Sequence, residues 1–441
     1  MGAAAESRRH VLQRGNKVKV LVIGSGGREH AIIKALKKEG RISKIYAAPG
    51  NGGISADAEC VPIKAADIPK MTEFAVQNKI DYVVVAPDDP LVLGMADALA
   101  AKGIRCFGPD KAAARIEGSK VFAKNLMKKY GIPTAAYETF TAPDKAADYL
   151  KRDNAPFPVV IKADGLALGK GVIIAENLEQ ALDAVDSIMR GKKFGDSGSS
   201  IVIEEFLTGP EVSVLAFTDG KTVFPMVSSM DHKRAYDGNT GPNTGGMGVI
   251  APNPHYTDEI AAICEKTIFI PSVNAMREEG CPFKGCLYFG LMLTNRGPVV
   301  IEYNCRFGDP EAQAVLPLLE TSLLEIMEAV TDERLSEIKI RWKNAHCACV
   351  ILASGGYPES YKTGFAITGL AAAENSGAVV YHAGTEYRPA ENTGSFYTAG
   401  GRVLGVTALA PALDAALVKA YKAAELINFE GIHYRRDIGK Y

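Results

Sequence analysis

Residues 299–311, VVIEYNCRFGDPE, place a carboxylate and a carboxamide two positions apart within a β-rich run. Because the side chains of a strand alternate between its two faces, Glu302 and Asn304 are predicted to project together. Oxygen donors of this kind suit a hard cation such as Mg²⁺, which usually takes one or two carboxylate-type protein ligands and leaves the rest to water and phosphates. The pattern therefore predicts a nucleotide site, although an isolated example is more typical of a solvated edge strand.

A glycine-rich loop at 163–171, ADGLALGKG, joins two apolar segments that are predicted to be strands. Its glycines are Gly165, Gly169 and Gly171. They leave backbone amides accessible, so the loop is predicted to close over phosphates as a flap. It is not a Walker P-loop, because Lys170 is followed by glycine and a strand rather than by Ser or Thr and a helix. Lys170 fits a solvated loop lysine equally well.

Lys162 ends the apolar strand before this loop and is predicted to face inward. A buried ammonium group needs an anionic partner, and a phosphate would serve, so a functional role is favoured here. Lys120 opens a predicted helix behind Ser119, a plausible N-cap, and taken alone it is a surface lysine.

Two further segments are more polar or richer in glycine than ordinary connections. Residues 231–234, DHKR, precede 240–248, TGPNTGGMG, and long polar loops in compact domains are often functional. Residues 204–207, EEFL, end an apolar strand in a turn whose backbone groups could contact a flat base. Glu211 follows at a position where it could hold ribose hydroxyls.

The first glycine turn, GSGGREH at 24–30, is weak evidence for a dinucleotide site. The Rossmann fingerprint requires a third glycine where this chain has Glu29, and an acidic residue about 20 positions later, where it has residues 45–47, IYA. A substrate phosphate or carboxylate could still bind the amides at the start of the following helix. A tight turn without a ligand fits equally well.

Composition limits the partners of the chain. Its 441 residues predict about three domains. A net charge of -1 gives no reason to expect nucleic acid or an anionic membrane as a partner. The 8 cysteines lack the paired spacing of zinc sites, which predicts reduced cytoplasmic thiols. No apolar run approaches the roughly 20 residues of a membrane span, and residues 1–16 are interpreted as a disordered leader.

The periodicity of apolar residues predicts a mixed architecture. Alternating strands and helices over 17–118 predict a small doubly wound parallel α/β domain. In that domain the predicted strands are 17–24, 44–48, 82–86 and 105–107, with helices at 31–40, 70–78 and 91–102. Segments 200–205, 211–218, 222–228 and 285–304 predict one larger antiparallel sheet with its last turn at 295–297. A single helix is predicted at 312–330, and an α+β module from 345.

Taken in order, these motifs resemble the ATP-grasp superfamily and, within it, the phosphoribosylamine-glycine ligase family. The similarity extends from Lys19 to Tyr441 and is carried by VLVIGSGGREHAI, YAAPGN, EGSK, PVVIKADGLALGKGV, VIEEFLTGPEVS, DHKRAYDGNTGPNTGGMG, VIEYNCRFGDPE, GYP, GGRVL and YRRDIG. The resemblance implies an N-terminal α/β domain at 17–118 and an ATP-grasp domain with antiparallel sheets at 119–344, whose flap subdomain is at about 134–203. It also implies a small C-terminal α+β domain at 345–441.

The resemblance further implies a cytoplasmic enzyme of purine biosynthesis, either a monomer or a weak dimer. ATP would phosphorylate glycine, and 5-phosphoribosylamine would attack the acyl phosphate. ATP would be held by Lys120, Lys162, Gly165, Gly169, Lys170, Gly171, Glu204, Glu205, Phe206, Leu207 and Glu211. Mg²⁺ or Mn²⁺ would be bound by Glu302 and Asn304. The catalytic set would be Arg306, Lys162, Asp231 and Lys233. The substrates would contact Gly26, Gly27, Asn51, Asp231, Asn243, Thr244, Gly245, Asp309, Pro310 and Glu311.

Two features depart from the family pattern. Residues 86–91, APDDPL, stand where the family is expected to read G-P-E before P-L-V. The strand before Glu302 reads Leu291-Met292-Leu293, whereas many relatives in the wider superfamily carry a carboxylate there, so the metal would have one protein ligand fewer. The alternative within the class is a biotin-carboxylase-like ligase. Outside it are a nicotinamide-dependent oxidoreductase, disfavoured by Glu29, and a non-catalytic nucleotide-binding module.

Overall fold

The first apolar run forms the central strand of a parallel sheet. The computed structural model describes residues 17–153, 155–166, 171–191, 195–389 and 394–440, so the predicted leader at 1–16 lies outside the described residues. The strands are β1 (Val18–Gly24), β2 (Ile42–Pro49), β3 (Glu59–Cys60), β4 (Tyr82–Val85) and β5 (Arg105–Phe107), in the order β3-β2-β1-β4-β5. Because the order reverses between β1 and β4, the turns after these strands border the crevice where such sheets bind ligands. The predicted doubly wound domain is confirmed.

The helices of this domain are α1 (Gly27–Leu36), α2 (Ile68–Gln77), α3 (Asp88–Leu93), α4 (Met95–Ala100) and α5 (Lys111–Gly118). The prediction of one helix at 91–102 is wrong. Gly94 adopts a φ of 99°, in the left-handed region, and separates α3 from α4. The helix α3 begins at Asp88, after the two-residue connection that follows β4, which places this carboxylate at the crevice.

The next segment builds the predicted hairpin. Its elements are α6 (Lys120–Tyr130), β6 (Tyr137–Phe140), α7 (Pro143–Leu150), β7 (Val159–Ala163), β8 (Val172–Ala175), α8 (Leu178–Val185) and β9 (Ile201–Glu205), with a π-helical turn at 186–190 after α8. The strands pair in the order β6-β9-β7-β8. The prediction that 200–205 joins the later sheet is therefore wrong, because β9 pairs with β6 and β7.

A second antiparallel sheet carries the motif at 302–304. Its strands are β10 (Glu211–Asp219), β11 (Val223–Pro225), β16 (Lys284–Thr294) and β17 (Gly297–Asn304), in the order β11-β10-β16-β17. Between them come β12 (Met230–Asp231), β13 (Arg234–Tyr236), β14 (Thr240–Asn243) and β15 (Gly248–Ala251). The helices α9 (Asp258–Cys264) and α10 (Ile270–Glu278) are joined by a π-helical turn at 265–269.

The helix predicted at 312–330 is two helices, α11 (Glu311–Val315) and α12 (Leu323–Thr331). Pro317 lies between them in a short 3-10 turn at 316–318, since proline cannot continue a helical hydrogen-bond ladder. Ser322 then caps α12 by accepting a hydrogen bond from the amide of Glu325. The helix α11 therefore begins at Glu311, the last residue of the DPE segment.

The remaining strands are β18 (His346–Ser354), β19 (Ala366–Ile367), β20 (Val379–His382), β21 (Thr385–Arg388), β22 (Ser395–Thr398), β23 (Arg402–Ala410) and β24 (Ile432–His433), with helices α13 (Leu370–Asn375) and α14 (Leu413–Ala424). One sheet has the order β12-β15-β18-β23-β20, with β24 also paired to β18, and a smaller sheet has the order β19-β22-β21. Strands β12 and β15 thus carry the DHKR and glycine-rich segments into the sheet of the C-terminal part.

Alternate residues of β1 belong to different hydrophobic cores. Val20 and Val22 pack in a cluster with Phe217 of β10 and Cys349 of β18. Leu21, on the opposite face, belongs to a second cluster that reaches β16. The three parts of the chain are thereby fixed against one another around the crevice. No helix in the described ranges is long and apolar enough to cross a membrane.

Candidate active site

The metal-type side chains lie on β17 beside a bulge. Glu302 pairs with Gly290 of β16 and Asn304 pairs with Tyr288, while Ile301 is the extra residue where the register shifts. The residue opposite Glu302 is therefore Gly290, and Leu291-Met292-Leu293 follow it on β16. A glycine brings no ligand atom from its side chain. Carboxylate and carboxamide oxygens remain a donor set that fits a hard cation whose shell is completed by phosphates and water.

Positive groups surround Glu302. The ammonium group of Lys233 lies 3.8 Å from Glu302 Oε1 and 3.1 Å from Glu211 Oε2. Burial alone would raise the pKa of Glu302, but Lys233, Lys162, Lys120 and Arg306 together lower it below its ordinary value. Such an excess of positive charge suits a polyphosphate better than a free cation.

Lys162 is buried, as predicted, but it already has an anionic partner. Its ammonium group lies 3.1 Å from Glu204 Oε2 and donates to the Ile301 carbonyl at 3.0 Å. The same Oε2 atom is 3.0 Å from the ammonium group of Lys124. Sequence reasoning missed Lys124, although it stands four positions after Lys120, a spacing that puts both on one face of α6.

The base of the flap is pinned to the start of α6. One Asp164 oxygen accepts hydrogen bonds from Ser119 Oγ at 3.0 Å and from the Val121 amide at 3.1 Å, and the other accepts from Ser200 Oγ. Lys120 donates to the Gly165 carbonyl at 2.8 Å. Gly165 has a φ of 97°, which favours glycine.

The other flap residues divide into two groups. Gly171 accepts a hydrogen bond from the Ala163 amide across the hairpin at 2.8 Å. Gly169 and Lys170 lie outside the described residues. The structure thus brings the described part of the flap next to both Lys120 and Lys162.

The strand exit at 204–211 has mixed roles. Glu205 pairs with Arg296 at the turn of the β16–β17 hairpin, and Phe206 is exposed. Glu204 Oε1 is buried and has no hydrogen-bond partner in the described structure. A buried unpaired oxygen is costly, so this atom is an acceptor poised for a donor from a ligand.

Arg306 lies at the junction of the metal motif and the parallel sheet. Its Nη2 donates to Glu117 Oε1 at 2.9 Å, lies 3.8 Å from Asp88 Oδ2 and is 3.4 Å from Asn304 Oδ1. Burial opposes the guanidinium charge, but Glu117 and Asp88 raise the pKa of Arg306 above its ordinary value. Arg306 Nε is buried and without a partner among the described residues. Asp88, the first of the two acids in the APDDPL segment, is therefore part of the site.

Asp231 and Glu311 form an acidic pair nearby. Burial, together with the charge of Glu311, raises the pKa of Asp231 well above its ordinary value, although Lys233 and Arg402 oppose the shift. Asp231 Oδ1 is buried and has no hydrogen-bond partner in the part of the chain that is described. Glu311 accepts from Ser213 Oγ at 3.1 Å. An ammonium group would suit both carboxylates.

Arg402 of β23 joins the glycine-rich loop to the DPE segment. Its guanidinium group donates to the carbonyls of Gly245 and Asp309, the latter at 2.7 Å, and lies 3.2 Å from Asp309 Oδ1. The loop is closed by Thr244, whose hydroxyl donates to the Lys233 carbonyl at 2.8 Å, while Asn243 pairs with Arg234. Only the motif GGRVL signalled Arg402 in the sequence. The Asp309–Pro310 peptide bond is cis.

The first glycine turn faces the same crevice. The Gly26 amide donates to the carboxylate of Glu29 in the same turn, and the amide of Arg28 lies 3.4 Å from Asp309 Oδ2. Gly27 lies against Gln313 of α11. The Asn51 amide donates to the carbonyls of Ser25 and His382, at 2.8 and 2.9 Å, so both of its hydrogens serve the protein itself. A substrate contact at Asn51 stays a prediction.

The site combines a glycine-rich hairpin with an antiparallel sheet that bears a carboxylate, a carboxamide and several cationic side chains. These features define the ATP-grasp class of nucleotide-dependent enzymes. Family models of phosphoribosylglycinamide synthetase match the N domain at residues 18–117, the ATP-grasp domain at 118–312 and the C domain at 347–441. The chain belongs to the phosphoribosylglycinamide synthetase family.

Individual relatives agree with this family. The chain is 50% identical over 421 residues to the phosphoribosylamine-glycine ligase of Caldanaerobacter subterraneus subsp. tengcongensis, covering 96% of this chain and 99% of the relative. A crystal structure of phosphoribosylamine-glycine ligase from Thermotoga maritima is 32% identical, with a TM-score of 0.82, and the match covers 95% of this chain and 100% of that one.

A more distant structure shares only the fold. The biotin carboxylase domain of 2-oxoglutarate carboxylase from Hydrogenobacter thermophilus is 17% identical with a TM-score of 0.71, covering 94% of this chain and 91% of that one. Its likeness shows the ATP-grasp architecture and does not favour a biotin-carboxylase-like reaction.

Proposed function

We propose that this chain ligates glycine to 5-phosphoribosylamine at the expense of ATP, in de novo purine biosynthesis. A glycine carboxylate oxygen would attack the γ-phosphorus, releasing ADP and forming glycyl phosphate. The amine of phosphoribosylamine would then attack the acyl carbon and release phosphate, which can carry away the proton lost by the amine. The observation that carries the proposal is the convergence of Lys120, Lys162, Lys233 and Arg306 around Glu302. Positioning and charge neutralisation are what phosphoryl transfer requires.

The nucleotide is proposed to lie between the flap and β17. Lys120 and Lys162 would contact its phosphates, since both ammonium groups lower the pKa of Glu302 and Lys120 contacts the base of the flap. Glu204 Oε1, buried and unpaired, would accept from the amino group of the base. Glu211 and residues 205–207 would border the adenosine, with Glu211 near the ribose.

Glu302 and Asn304 would hold a divalent cation, Mg²⁺ or Mn²⁺. When bound, such a cation supplies charge stabilisation at the phosphate oxygens. Asn304 is oriented by Arg306, which lies within 3.4 Å of its oxygen. Arg306 itself would stabilise the acyl phosphate through Nε, the guanidinium atom that lacks a partner in the described structure.

The substrates are proposed to enter from the crevice of the parallel sheet. Asp231 and Glu311 would bind the ammonium group of glycine, and that positive charge would bring Asp231 back to its carboxylate form. Arg28, Arg402 and Asp309 border the path between the glycine turn and the DPE segment, which suits a phosphorylated sugar. The flanking residues Gly26, Gly27, Asn243, Thr244, Gly245 and Pro310 would shape this pocket.

The setting of the enzyme is also a proposal. We propose a cytoplasmic enzyme that is a monomer or weak dimer and acts on small molecules. A net charge of -1 gives no reason to expect nucleic acid or an anionic membrane as a partner. The division into domains at 17–118, 119–344 and 345–441 is retained with it.

The deciding experiment measures ADP release with ATP, glycine and freshly made phosphoribosylamine, each omitted in turn. Release is expected only when all three are present, and the product should carry the glycine carbonyl carbon in an amide with the nitrogen of phosphoribosylamine. Turnover that is indifferent to glycine would refute the proposal, and turnover supported by bicarbonate instead would favour the biotin-carboxylase-like alternative. Lys162→Ala should weaken ATP binding in calorimetry, whereas unchanged ATP affinity would assign Lys162 a purely structural role.

A further inference from the structure

Lys124 is a buried cation that has no place in the proposed reaction. Its residue is only 3% exposed, and its ammonium group lies 3.0 Å from Glu204 Oε2. It also donates to Thr134 Oγ1 at 2.7 Å, and that hydroxyl donates in turn to the Val300 carbonyl. These contacts hold Lys124 against the same carboxylate that pairs with Lys162.

Burying an ammonium group is expensive, and an apolar residue would often stabilise a fold as well or better. Burial lowers the pKa of Lys124 to about 8, although the nearby Glu204 opposes this shift. The group therefore remains largely protonated at neutral pH. A lysine kept charged in such surroundings needs a reason beyond packing.

Charge counting supplies that reason. Lys162 and Lys124 share one oxygen of Glu204, at 3.1 and 3.0 Å. If Lys124 were neutral, Glu204 and Lys162 would form a pair without net charge, and Lys162 would attract a phosphate weakly. With Lys124 present, the three groups carry one net positive charge. In a buried site of low dielectric, one unit of charge matters strongly.

We propose that Lys124 is a positioning residue: it neutralises Glu204, so that Lys162 keeps an uncompensated positive charge for the phosphates of the nucleotide. This inference deepens the proposed function and rests on Lys162 contacting those phosphates. In this proposal Glu204 also holds the ammonium group of Lys162 in place, and Lys124 balances the negative charge of Glu204.

The test is a charge-balance cycle read by calorimetry of Mg·ATP binding in the absence of glycine and phosphoribosylamine. Lys124→Met is expected to raise the Kd for ATP about tenfold, because one positive charge is lost. The double variant Lys124→Met/Glu204→Gln restores the net charge and should return the Kd to within about threefold of wild type. Adenosine, which has no phosphate, should bind wild type and Lys124→Met with nearly equal affinity. Lys128→Met, an exposed site on the same helix, is the matched control and should change nothing.

A merely structural Lys124 predicts the opposite pattern. The double variant would then bind ATP at least as weakly as Lys124→Met, and adenosine would weaken in parallel; either result overturns the inference. If Lys124→Met does not fold, Lys124→Arg is expected to preserve ATP affinity and Glu204→Gln to raise ATP affinity relative to adenosine affinity, because a carboxamide keeps an oxygen acceptor for the base but carries no charge. Loss of ATP affinity relative to adenosine affinity in both variants would also overturn the inference. Lys162→Met distinguishes a failure of the proposed nucleotide site from a failure of this inference alone. If it leaves ATP affinity unchanged, the proposed nucleotide site fails, whereas if it weakens ATP while Lys124→Met does not, only this inference fails.

Discussion

Replacing Lys233 with methionine should make the nucleotide-free protein bind a divalent cation more tightly. In the structure the Lys233 ammonium group lies 3.8 Å from Glu302 Oε1 and 3.1 Å from Glu211 Oε2, so it stands beside the oxygen that would hold the metal. A cation approaching Glu302 must compete with it. Removing the lysine removes both the competitor and part of the repulsion.

The size of the effect follows from the distance. Two unit charges 3.8 Å apart interact by about 4 kcal/mol at an effective dielectric constant of about 20. The side chains of Lys233 and Glu302 are 31% and 37% exposed, so screening by water reduces this value severalfold. We expect a gain of about 1.4 kcal/mol, or roughly tenfold in the Kd of the cation.

The assay is a titration of Mn²⁺ followed by electron paramagnetic resonance, with Mn²⁺ as the spectroscopic probe for Mg²⁺. Lys221→Met is the matched control, because it removes a lysine that pairs with Glu333. Turnover of Lys233→Met should fall even as the metal tightens, since Lys233 belongs to the proposed catalytic set. An unchanged Mn²⁺ affinity, or wild-type binding as tight without ATP as with it, would refute the electrostatic reasoning.

Three further predictions concern rate, stability and pH. Glu302→Ala should lower kcat on the order of 100-fold, because charge stabilisation at the transferring phosphoryl is lost; near-normal kcat at saturating Mg²⁺ would reject that role. Glu117→Ala should reduce the free energy of unfolding by about 3 kcal/mol in urea titrations, since it leaves the charge of Arg306 buried without its partner at 2.9 Å. Burial lowers the pKa of His382 to about 3 and of His232 to about 4. Between pH 6.5 and 4 these two histidines are therefore protonated in the unfolded chain but neutral in the folded protein. The free energy of unfolding should fall as pH falls, by about 1.4 kcal/mol per histidine for each pH unit. Urea midpoints that stay constant over this window would contradict the assignment.

Local patterns predicted much of the fold because they depend on nearest neighbours along the chain. The strand β5 has the predicted bounds, and the hairpin of β16 and β17 turns at the predicted residues 295–297. The predictions failed where a local pattern was ambiguous. Gly94 alone separates α3 from α4, whereas the break between α11 and α12 covers residues 316–322 and contains Pro317.

The pairing of strands could not be predicted in the same way. Segment 200–205 is apolar and β-rich, and nothing in it distinguishes the sheet of β7 from that of β10. The register around Glu302 likewise depends on a bulge at Ile301, which shifts the pairing of β16 and β17 by one residue. Register depends on hydrogen bonds between segments, which a single sequence does not display.

The sequence by itself determined the chemistry available at the site: the acid and amide at 302 and 304, the lysines at 120 and 162, and the glycine-rich flap. Only the tertiary structure decided how their charges are balanced. Lys124, Glu117, Asp88 and Arg402 come from separate elements and meet the motif residues only after folding. The physical reason is that electrostatic interactions depend on distance and burial in space, whereas the order of residues along the chain specifies neither.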